Sequence, residues 1–248
     1  MTDRSTQIAS ALAGVRERLA RACADANRAP DAVQLLPVTK FFPVSDARIL
    51  YDLGCREFGE SRDQEASTKA ADLAESISGE RTFAADDVRW HMIGSVQRKK
   101  ARSIVRWADV VHSVDSEPLI AALSRAAVAA LDAGERAEPL QVLLQVSLDG
   151  DPKRGGVPVP ELHRLCELAA AADGLTLGGL MAVPPLDADP DAAFATLAAT
   201  HRDVVRDHPD ARTLSAGMTA DLEIAVRHGS TCVRVGTALL GSRPIASD

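Results

Sequence analysis

The 248-residue chain lacks the features that mark several protein classes. No apolar run approaches the roughly 18–20 residues of a membrane-spanning helix. The amphipathic N-terminal segment is charged throughout, unlike a signal peptide. A net charge of -7 argues against a general nucleic-acid binder. The cysteines are scattered, with no CxxC motif or Cys/His cluster, so we expect no disulfide framework and no metal site. These absences favour a cytoplasmic protein that contacts neither membranes nor nucleic acid.

What the chain does contain is a regular alternation of β-rich runs with alanine- and leucine-rich segments of helical spacing. Strands are predicted at 33–38, 55–59, 88–93, 109–114, 140–147, 175–183, 212–216 and 231–236. Helices are predicted at 45–53, 117–133, 160–173 and 190–207. Eight such βα units, after an extra N-terminal helix, predict an α/β fold: a (β/α)8 TIM barrel in which residues 1–248 form a single domain. An open doubly wound sheet is the alternative, but no GxGxxG follows the first strand.

Local signals mark the segment boundaries. Ser45, Ser116 and Thr219 are predicted N-caps because their hydroxyl groups can accept from free helical N–H groups. Glycines stand where four helices should stop, at positions 54, 134, 174 and 229. Residues 79–87 and 184–191 are predicted to be exposed loops.

Ligands of such barrels bind at the C-terminal ends of the strands, which collects the candidate site residues. Lys40 ends the first apolar run, and a lysine at that position is either a surface side chain or a functional amine. The other candidates at strand ends are the 59–61 turn with Ser61, His91, Met181, the 215–219 turn and the 234–237 turn.

Two turns have the composition of a phosphate site. SAGMT (215–219) and the Gly236-Thr237 turn each lead from a strand into a helix. Glycine permits close backbone approach, hydroxyl groups donate, and helix N-termini present free N–H groups to an anion. Ordinary N-capping is the alternative for either turn, but the loops after strands 7 and 8 are the usual phosphate site of these barrels.

Strand alternation predicts that Cys232, Arg234 and Gly236 point into the barrel while Val233 and Val235 face the helices. An inward arginine either pairs with an acidic neighbour or faces a ligand. A lysine, an inward arginine and a phosphate cradle together suggest pyridoxal 5′-phosphate. In that reading the lysine forms a Schiff base and the arginine faces the pyridine nitrogen.

Several ordered motifs resemble the pyridoxal-phosphate homeostasis protein family (YggS/PROSC) over nearly the whole chain. They are VTK (38–40), FGES-x-x-QE (58–65), WHMIGSVQ-x-x-K (90–100), GLMAV (179–183) and LSAGMTADLEIAVRHGSTCVRVGTALLG (214–241). The resemblance implies the fold type III barrel of pyridoxal-phosphate proteins, which is similar to the N-terminal barrel of alanine racemase.

The resemblance also implies roles for individual residues. Lys40 would hold the cofactor covalently, and Arg234 would face the ring nitrogen. The implied phosphate-binding positions are Ser215, Gly217, Met218, Gly236 and Thr237, and the implied pocket-lining positions are Ser61, His91 and Met181.

Three positions need comment beside the family pattern. Ser61 stands where the family usually has asparagine. Phe42 stands where many members have a second lysine, so a shuttle of cofactor between neighbouring lysines is not expected. Lys153 resembles a family lysine on a mobile loop.

Two functions follow from this site. The first is a non-enzymatic protein that holds pyridoxal phosphate in intracellular homeostasis, as a monomer, and delivers it to apoenzymes. The second is a small amino-acid racemase, which needs a base on each face of the substrate. In alanine racemase the second base is a tyrosine from an additional domain. The single tyrosine here, Tyr51, lies on the helix after strand 1, which favours the first function.

Overall fold

The structure is a computed structural model that describes residues 3–78, 88–185 and 188–242. Within these ranges all strand pairings are parallel, and eight of the strands form a barrel. The strands are β1 (Gln34–Pro37), β2 (Glu57–Glu60), β3 (Arg89–Met92), β4 (Val110–Val114), β5 (Leu140–Ser147), β6 (Val157–Pro158), β7 (Leu175–Met181), β8 (Thr213–Ser215) and β9 (Cys232–Val235).

The barrel order runs β1-β9-β8-β7-β5-β4-β3-β2. A bridge between Val38 and Gly59 joins β1 to β2 and completes the circle. The two-residue β6 pairs only with β5 and lies outside the circle. The predicted (β/α)8 barrel is therefore confirmed, with β6 as a short addition that the sequence pattern did not indicate.

Helices surround the barrel. They are α1 (Asp3–Asp25), α2 (Val44–Asp52), α3 (Asp63–Ile77), α4 (Ala101–Ile104), α5 (Glu117–Asp132), α6 (Val159–Ala170), α7 (Pro190–Asp207), α8 (Leu222–Arg227) and α9 (Thr237–Leu240), with a 3-10 turn at Arg98–Lys100. The extra helix α1 packs on α8, α9 and α2. It lies beside α9, the helix that follows β9, which is only one turn long. Arg18 of α1 pairs with Glu223 of α8 across this contact.

The helices pack on the strands through one large apolar cluster. In α5, Leu119, Leu123 and Ala127 recur at helical spacing and are all buried. The inside of the barrel, here called the lumen, has a separate small cluster of Val110, Leu143 and Met181. The candidate site residues on the strands lie in this lumen, and Lys40 lies at its mouth.

The boundary signals have mixed outcomes. The four glycines after helices all adopt positive φ, as their role requires. Ser116 is the N-cap residue of α5, as predicted, although its side chain makes no capping hydrogen bond. The other two cap predictions are wrong, because α2 begins after Pro43 and α8 begins after Asp221. The predicted loop at 79–87 lies outside the described residues. The described part of 184–191 is irregular up to the start of α7.

Candidate functional site

Lys40 lies at the mouth of the lumen, beside the last strand of the barrel. The Val38 N–H donates to the Val235 carbonyl at 2.9 Å, so β1 and β9 leave the sheet at the same level. Two residues further on, the chains reach Lys40 and Thr237. Lys40 is half-buried, and its Nζ lies 5.8 Å from the centre of the Phe41 ring. Within the described part of the chain, no carboxylate pairs with this amine.

The backbone on the C-terminal side of Lys40 is held in an unusual conformation. Phe41 has φ of 70°, which residues other than glycine rarely adopt. Its N–H donates to Glu65 Oε1 at 2.6 Å. Such strain persists only where surrounding contacts hold it, and it concentrates at functional sites. The bond from Phe41 therefore helps to fix the direction in which the Lys40 side chain leaves the backbone.

The backbone on the N-terminal side of Lys40 is held by a buried ion pair. Lys69 of α3 donates to the Thr39 carbonyl at 2.8 Å and lies 2.5 Å from Glu60 Oε1. The Thr39 hydroxyl donates to the same carboxylate oxygen at 2.7 Å. Burial raises the pKa of Glu60, although the adjacent ammonium of Lys69 opposes this shift. Sequence reasoning missed this pair, although Glu60 lies within the FGES motif.

Arg234 points into the lumen, as strand alternation predicts, and Val233 and Val235 pack in the outer apolar cluster. Its guanidinium donates to the Ser215 carbonyl at 2.7 Å, to Ser215 Oγ at 2.6 Å and to the Ala182 carbonyl at 3.0 Å. Burial lowers the pKa of this guanidinium. No described carboxylate forms a salt bridge with it, so the acidic neighbour considered from the sequence is replaced by carbonyl and hydroxyl oxygens.

The turn after β8 is built closely around Gly217. This residue has φ of 94°, and a Cβ atom here would lie 2.5 Å from Ala225 Cβ. The Gly217 carbonyl accepts from the Arg234 N–H at 3.0 Å, which ties the turn to β9. The next N–H, that of Met218, donates to the Asp221 carboxylate at 2.6 Å. An anion at this turn would have to replace Asp221 as the acceptor of that N–H.

The turn after β9 is more accessible. Thr237 is exposed and begins α9, and Gly236 before it is partly buried. The first N–H groups of a helix have no acceptor within the helix. This turn is consequently the better placed of the two candidate phosphate turns to offer donors to an anion.

Two histidines extend a hydrogen-bonded chain through the lumen below Arg234. His112 contacts Ser215 Oγ through Nδ1 at 3.0 Å and His91 Nδ1 through Nε2 at 2.8 Å. His91 Nε2 contacts Glu57 Oε2 at 2.7 Å. His112 lies in the middle of β4, is buried and is hydrogen-bonded at both ring nitrogens.

Met181 and Ser61 are separated in the structure. Met181 ends β7 and is buried in the lumen cluster. Ser61 follows β2 and lines a cavity of about 480 Å³ that also contacts Met92 and Lys100 but not Lys40. The Gly94 backbone packs directly on Ser61, because a Cβ at Gly94 would lie 2.5 Å from the Ser61 carbonyl oxygen.

Lys153 is exposed in the loop between β5 and β6. Its neighbour Arg154 anchors this loop by donating to the carbonyls of Val183 and Pro184 at 2.7 and 2.9 Å. The structure thus brings Lys40, Arg234 and the turns after β8 and β9 to one end of the barrel. Alternation along β2 was a usable signal for the missed Glu57, because it shares the lumen face with Gly59.

A family model, a named relative and a solved structure all match this chain over most of its length. The family described as the alanine racemase N-terminal domain matches residues 14–244. A protein of Mycobacterium leprae named pyridoxal phosphate homeostasis protein is 53% identical, over 99% of this chain and 96% of that protein. The solved structure of PipY from Synechococcus elongatus with PLP bound is 32% identical, with a TM-score of 0.74, over 95% of this chain and all of PipY.

A more distant likeness concerns the fold alone. Alanine racemase from Corynebacterium glutamicum matches with a TM-score of 0.68 at 16% identity, over 98% of this chain and 62% of the racemase. Among the helices of the described residues, none is both long and apolar enough to cross a membrane.

Proposed function

This chain belongs to the alanine racemase N-terminal domain family, and from that premise we propose that it binds pyridoxal 5′-phosphate and acts in the homeostasis of this cofactor rather than as an enzyme. The observation that carries the proposal is that Lys40 and Arg234 lie at the same end of the barrel. One is an amine with no described carboxylate partner, and the other is a buried cation held only by neutral oxygens.

The donor set fits the chemistry of pyridoxal phosphate. The cofactor supplies an aldehyde that a primary amine converts to a Schiff base, and we propose that Lys40 provides that amine. Arg234 has only donors and stays cationic, so it would donate to the ring nitrogen and keep a proton off it. The N–H groups at Gly236 and Thr237 would donate to the phosphate, with those of Gly217 and Met218 beside them once Asp221 is displaced.

The remaining residues position these groups. The Glu60–Lys69 pair and the bond from Phe41 to Glu65 fix the backbone on both sides of Lys40. Ser215 acts through its hydroxyl and carbonyl oxygens, which hold the Arg234 guanidinium. Met181 forms part of the apolar lining, and Ser61 lies at the neighbouring strand end.

A racemase remains the competing function, and two observations favour homeostasis over it. Both ring nitrogens of His91 are engaged, with Glu57 and His112, so neither is available as a second base. Tyr51 is buried in the last turn of α2, at the end of the barrel opposite the strand C-termini. The close relatives are also named as homeostasis proteins.

The test is reduction of the loaded protein with borohydride followed by peptide mapping, in wild type, Lys40→Ala and the matched control Lys153→Ala. We expect a visible absorption band and a trapped adduct in wild type and in Lys153→Ala, and neither in Lys40→Ala. An adduct of undiminished yield in Lys40→Ala would refute Lys40 as the attachment residue. Steady racemisation of amino acids by the loaded protein at ordinary enzymatic rates would refute the non-enzymatic role.

The finer parts of the proposal are that the protein is a cytoplasmic monomer and passes its cofactor to apoenzymes. Transfer is measured as activation of a cofactor-free enzyme by the loaded protein, with a trap for free aldehyde in the solution. Activation that disappears when the trap is present would show release into solution rather than direct delivery.

A further inference from the structure

The lumen contains a continuous chain of hydrogen bonds that the binding of pyridoxal phosphate does not by itself require. It runs from Arg234 through Ser215, His112 and His91 to Glu57, with donor–acceptor distances of 2.6, 3.0, 2.8 and 2.7 Å. The five residues come from β9, β8, β4, β3 and β2, so the chain crosses the barrel from its functional end toward the opposite end.

The direction of every bond in this chain follows from the chemistry of its two ends. Arg234 can only donate, so Ser215 Oγ accepts from it. At the other end, burial raises the pKa of Glu57, but the neighbouring His91, Gln34 and Arg89 together outweigh that effect and leave the pKa below its usual value. Glu57 is therefore an ionised acceptor, and His91 carries a proton on Nε2.

The positions of the protons on His91 and His112, in the middle of the chain, then follow from the bonds at its two ends. A neutral His91 that donates from Nε2 accepts at Nδ1, so His112 donates from Nε2. Burial, together with the positive charge of the nearby Arg234, holds the pKa of His112 well below its usual value, so this ring is neutral and accepts at Nδ1. The Ser215 hydroxyl completes the chain by donating to that nitrogen.

One added proton reverses this order. If the Glu57–His91 pair takes up a proton, His91 carries hydrogen on Nδ1 and donates to His112 Nε2. His112, which stays neutral, must then carry its proton on Nδ1 and donate to Ser215 Oγ. The hydroxyl hydrogen of Ser215 can no longer point at His112 and becomes free for another acceptor.

Solvent reaches the Glu57 end of the chain far more than the other end. The Glu57 side chain is 31% exposed, whereas His91 is 4%, His112 1%, Ser215 0% and Arg234 6% exposed. Glu57 also lines a cavity of about 370 Å³ at the barrel end opposite Lys40. A proton therefore enters at Glu57, and its effect is felt at the cofactor end.

We infer that Glu57, His91 and His112 are positioning residues, and that proton uptake at Glu57 and His91 reverses the chain and turns the Ser215 hydroxyl into a donor for the bound cofactor. This inference rests on the proposed function. The protonated state offers an anionic ligand one more donor and one more positive charge. Binding of pyridoxal phosphate should accordingly tighten as the pH falls through the reversal and, reciprocally, should move the reversal to higher pH.

Other groups around the chain act on it but do not replace it. They are Gln34 on β1, Arg89 on β3, and Cys232 with Arg234 on β9. Burial raises the pKa of the Cys232 thiol to about 11, so this thiol remains protonated while the chain reverses.

The first test needs no cofactor and no variant of the chain. Nitrogen-15 NMR of histidine side chains in the ligand-free protein reports which ring nitrogen carries hydrogen. We expect Nε2–H on both His91 and His112 at high pH, and a shift of His112 to Nδ1–H at the midpoint where the Glu57–His91 pair takes up a proton. A His112 tautomer that stays constant while this pair takes up a proton would overturn the inference, whether or not the protein binds pyridoxal phosphate.

The second test measures the dissociation constant of pyridoxal phosphate against pH in wild type, Glu57→Gln and the exposed control Glu75→Gln. The ratio between variant and wild type cancels the titration of the ligand itself. Removing a neighbouring charge shifts such a midpoint by about 1–3 pH units, so the Glu57→Gln ratio should rise by at least about fivefold between the two midpoints. Glu75→Gln should remain at a ratio of one.

The outcomes separate the inference from the proposed function. Failure of wild type to bind the cofactor would refute the proposed function, and the tautomer measurement would still decide the chain. Normal binding with a Glu57→Gln ratio that is constant across pH would refute the coupling and leave the proposed function intact.

Discussion

The layer between strands and helices differs in kind from the lumen of the barrel. The outer layer is a single cluster of more than fifty buried apolar residues, including Phe58, Leu123 and Val233. The lumen has only Val110, Leu143 and Met181 as a separate apolar cluster. The lumen also holds the polar groups Glu57, His91, His112, Ser215 and Arg234, which are linked by hydrogen bonds, and the buried apolar residues Leu36 and Val38, which lie beside Gly59.

This difference separates stability from function within one barrel. Burying apolar area drives folding, whereas burying charged or polar groups costs free energy unless each group has a partner. The lumen meets this condition with a linked set of bonds, and the outer layer meets the folding requirement almost alone. One exception is Glu60–Lys69, an ion pair buried in the outer layer directly beside Lys40, and Asp46 and Asp63 are further carboxylates buried among the helices.

The largest expected effect comes from removing one partner of the buried Glu60–Lys69 ion pair. Lys69→Met leaves the Glu60 carboxylate buried without its cation, and losing one partner of a buried pair costs about 3–5 kcal/mol. We expect this loss in the free energy of unfolding measured with urea, together with slower trapping of cofactor on Lys40. Lys99→Met, at an exposed lysine, should change neither. Adding Glu60→Leu to Lys69→Met should recover part of the stability, and a double variant no more stable than the single one would contradict this account.

A matched pair of leucines sharpens the comparison. Leu123 in the outer layer and Leu143 in the lumen are both fully buried. Truncation to alanine at either site should cost about 2–5 kcal/mol, with Leu123→Ala near the upper end. Leu143→Ala should lie near the lower end because water entering the lumen finds polar partners there. Urea unfolding checks the order, and equal losses would mean that the lumen behaves as an ordinary apolar core.

The glycine turn at the mouth of the lumen should give a smaller effect. Gly217→Ala combines a positive φ with a clash against Ala225, whereas Gly229→Ala has a similar φ and nothing within 4 Å. Overpacking typically costs about 1–3 kcal/mol, so the first variant should lose that much more stability than the second. Gly217→Ala should also weaken binding of pyridoxal phosphate. Equal behaviour of the two variants would assign the whole cost to backbone strain.

The smallest expected effect concerns the acid limb of stability. The pKa of Glu57 is lower in the folded chain than in the unfolded chain, so its contribution is complete above the unfolded pKa of about 4.3. That contribution is lost as the pH falls through the folded-state pKa. The difference in unfolding free energy between wild type and Glu57→Gln should therefore shrink on acidification. A difference that is constant between neutral and acid pH would show that the carboxyl has no such role.

The sequence predicted the barrel well, because its strands and helices depend on local patterns. Apolar runs and helical spacing located all eight barrel strands, and alternation along β9 correctly turned Arg234 inward. The capping predictions at Ser45 and Thr219 failed since Pro43 and Asp221 occupy the positions before those helices. Hydroxyl residues near a helix start are common, and only the backbone path decides which one can reach an N–H group.

The sequence alone determined that a lysine follows β1 and that a cationic residue faces the lumen from β9, since both follow from a period of two and from the strand count. Only the tertiary structure decided that His112 meets Ser215, which is 103 residues away, and that Glu57 and His91 continue the chain. It also decided that Asp221 occupies the Met218 N–H and that Phe41 adopts a positive φ. Such contacts depend on the relative stagger of neighbouring strands and on the closure of the barrel, which bring together residues that no local pattern relates.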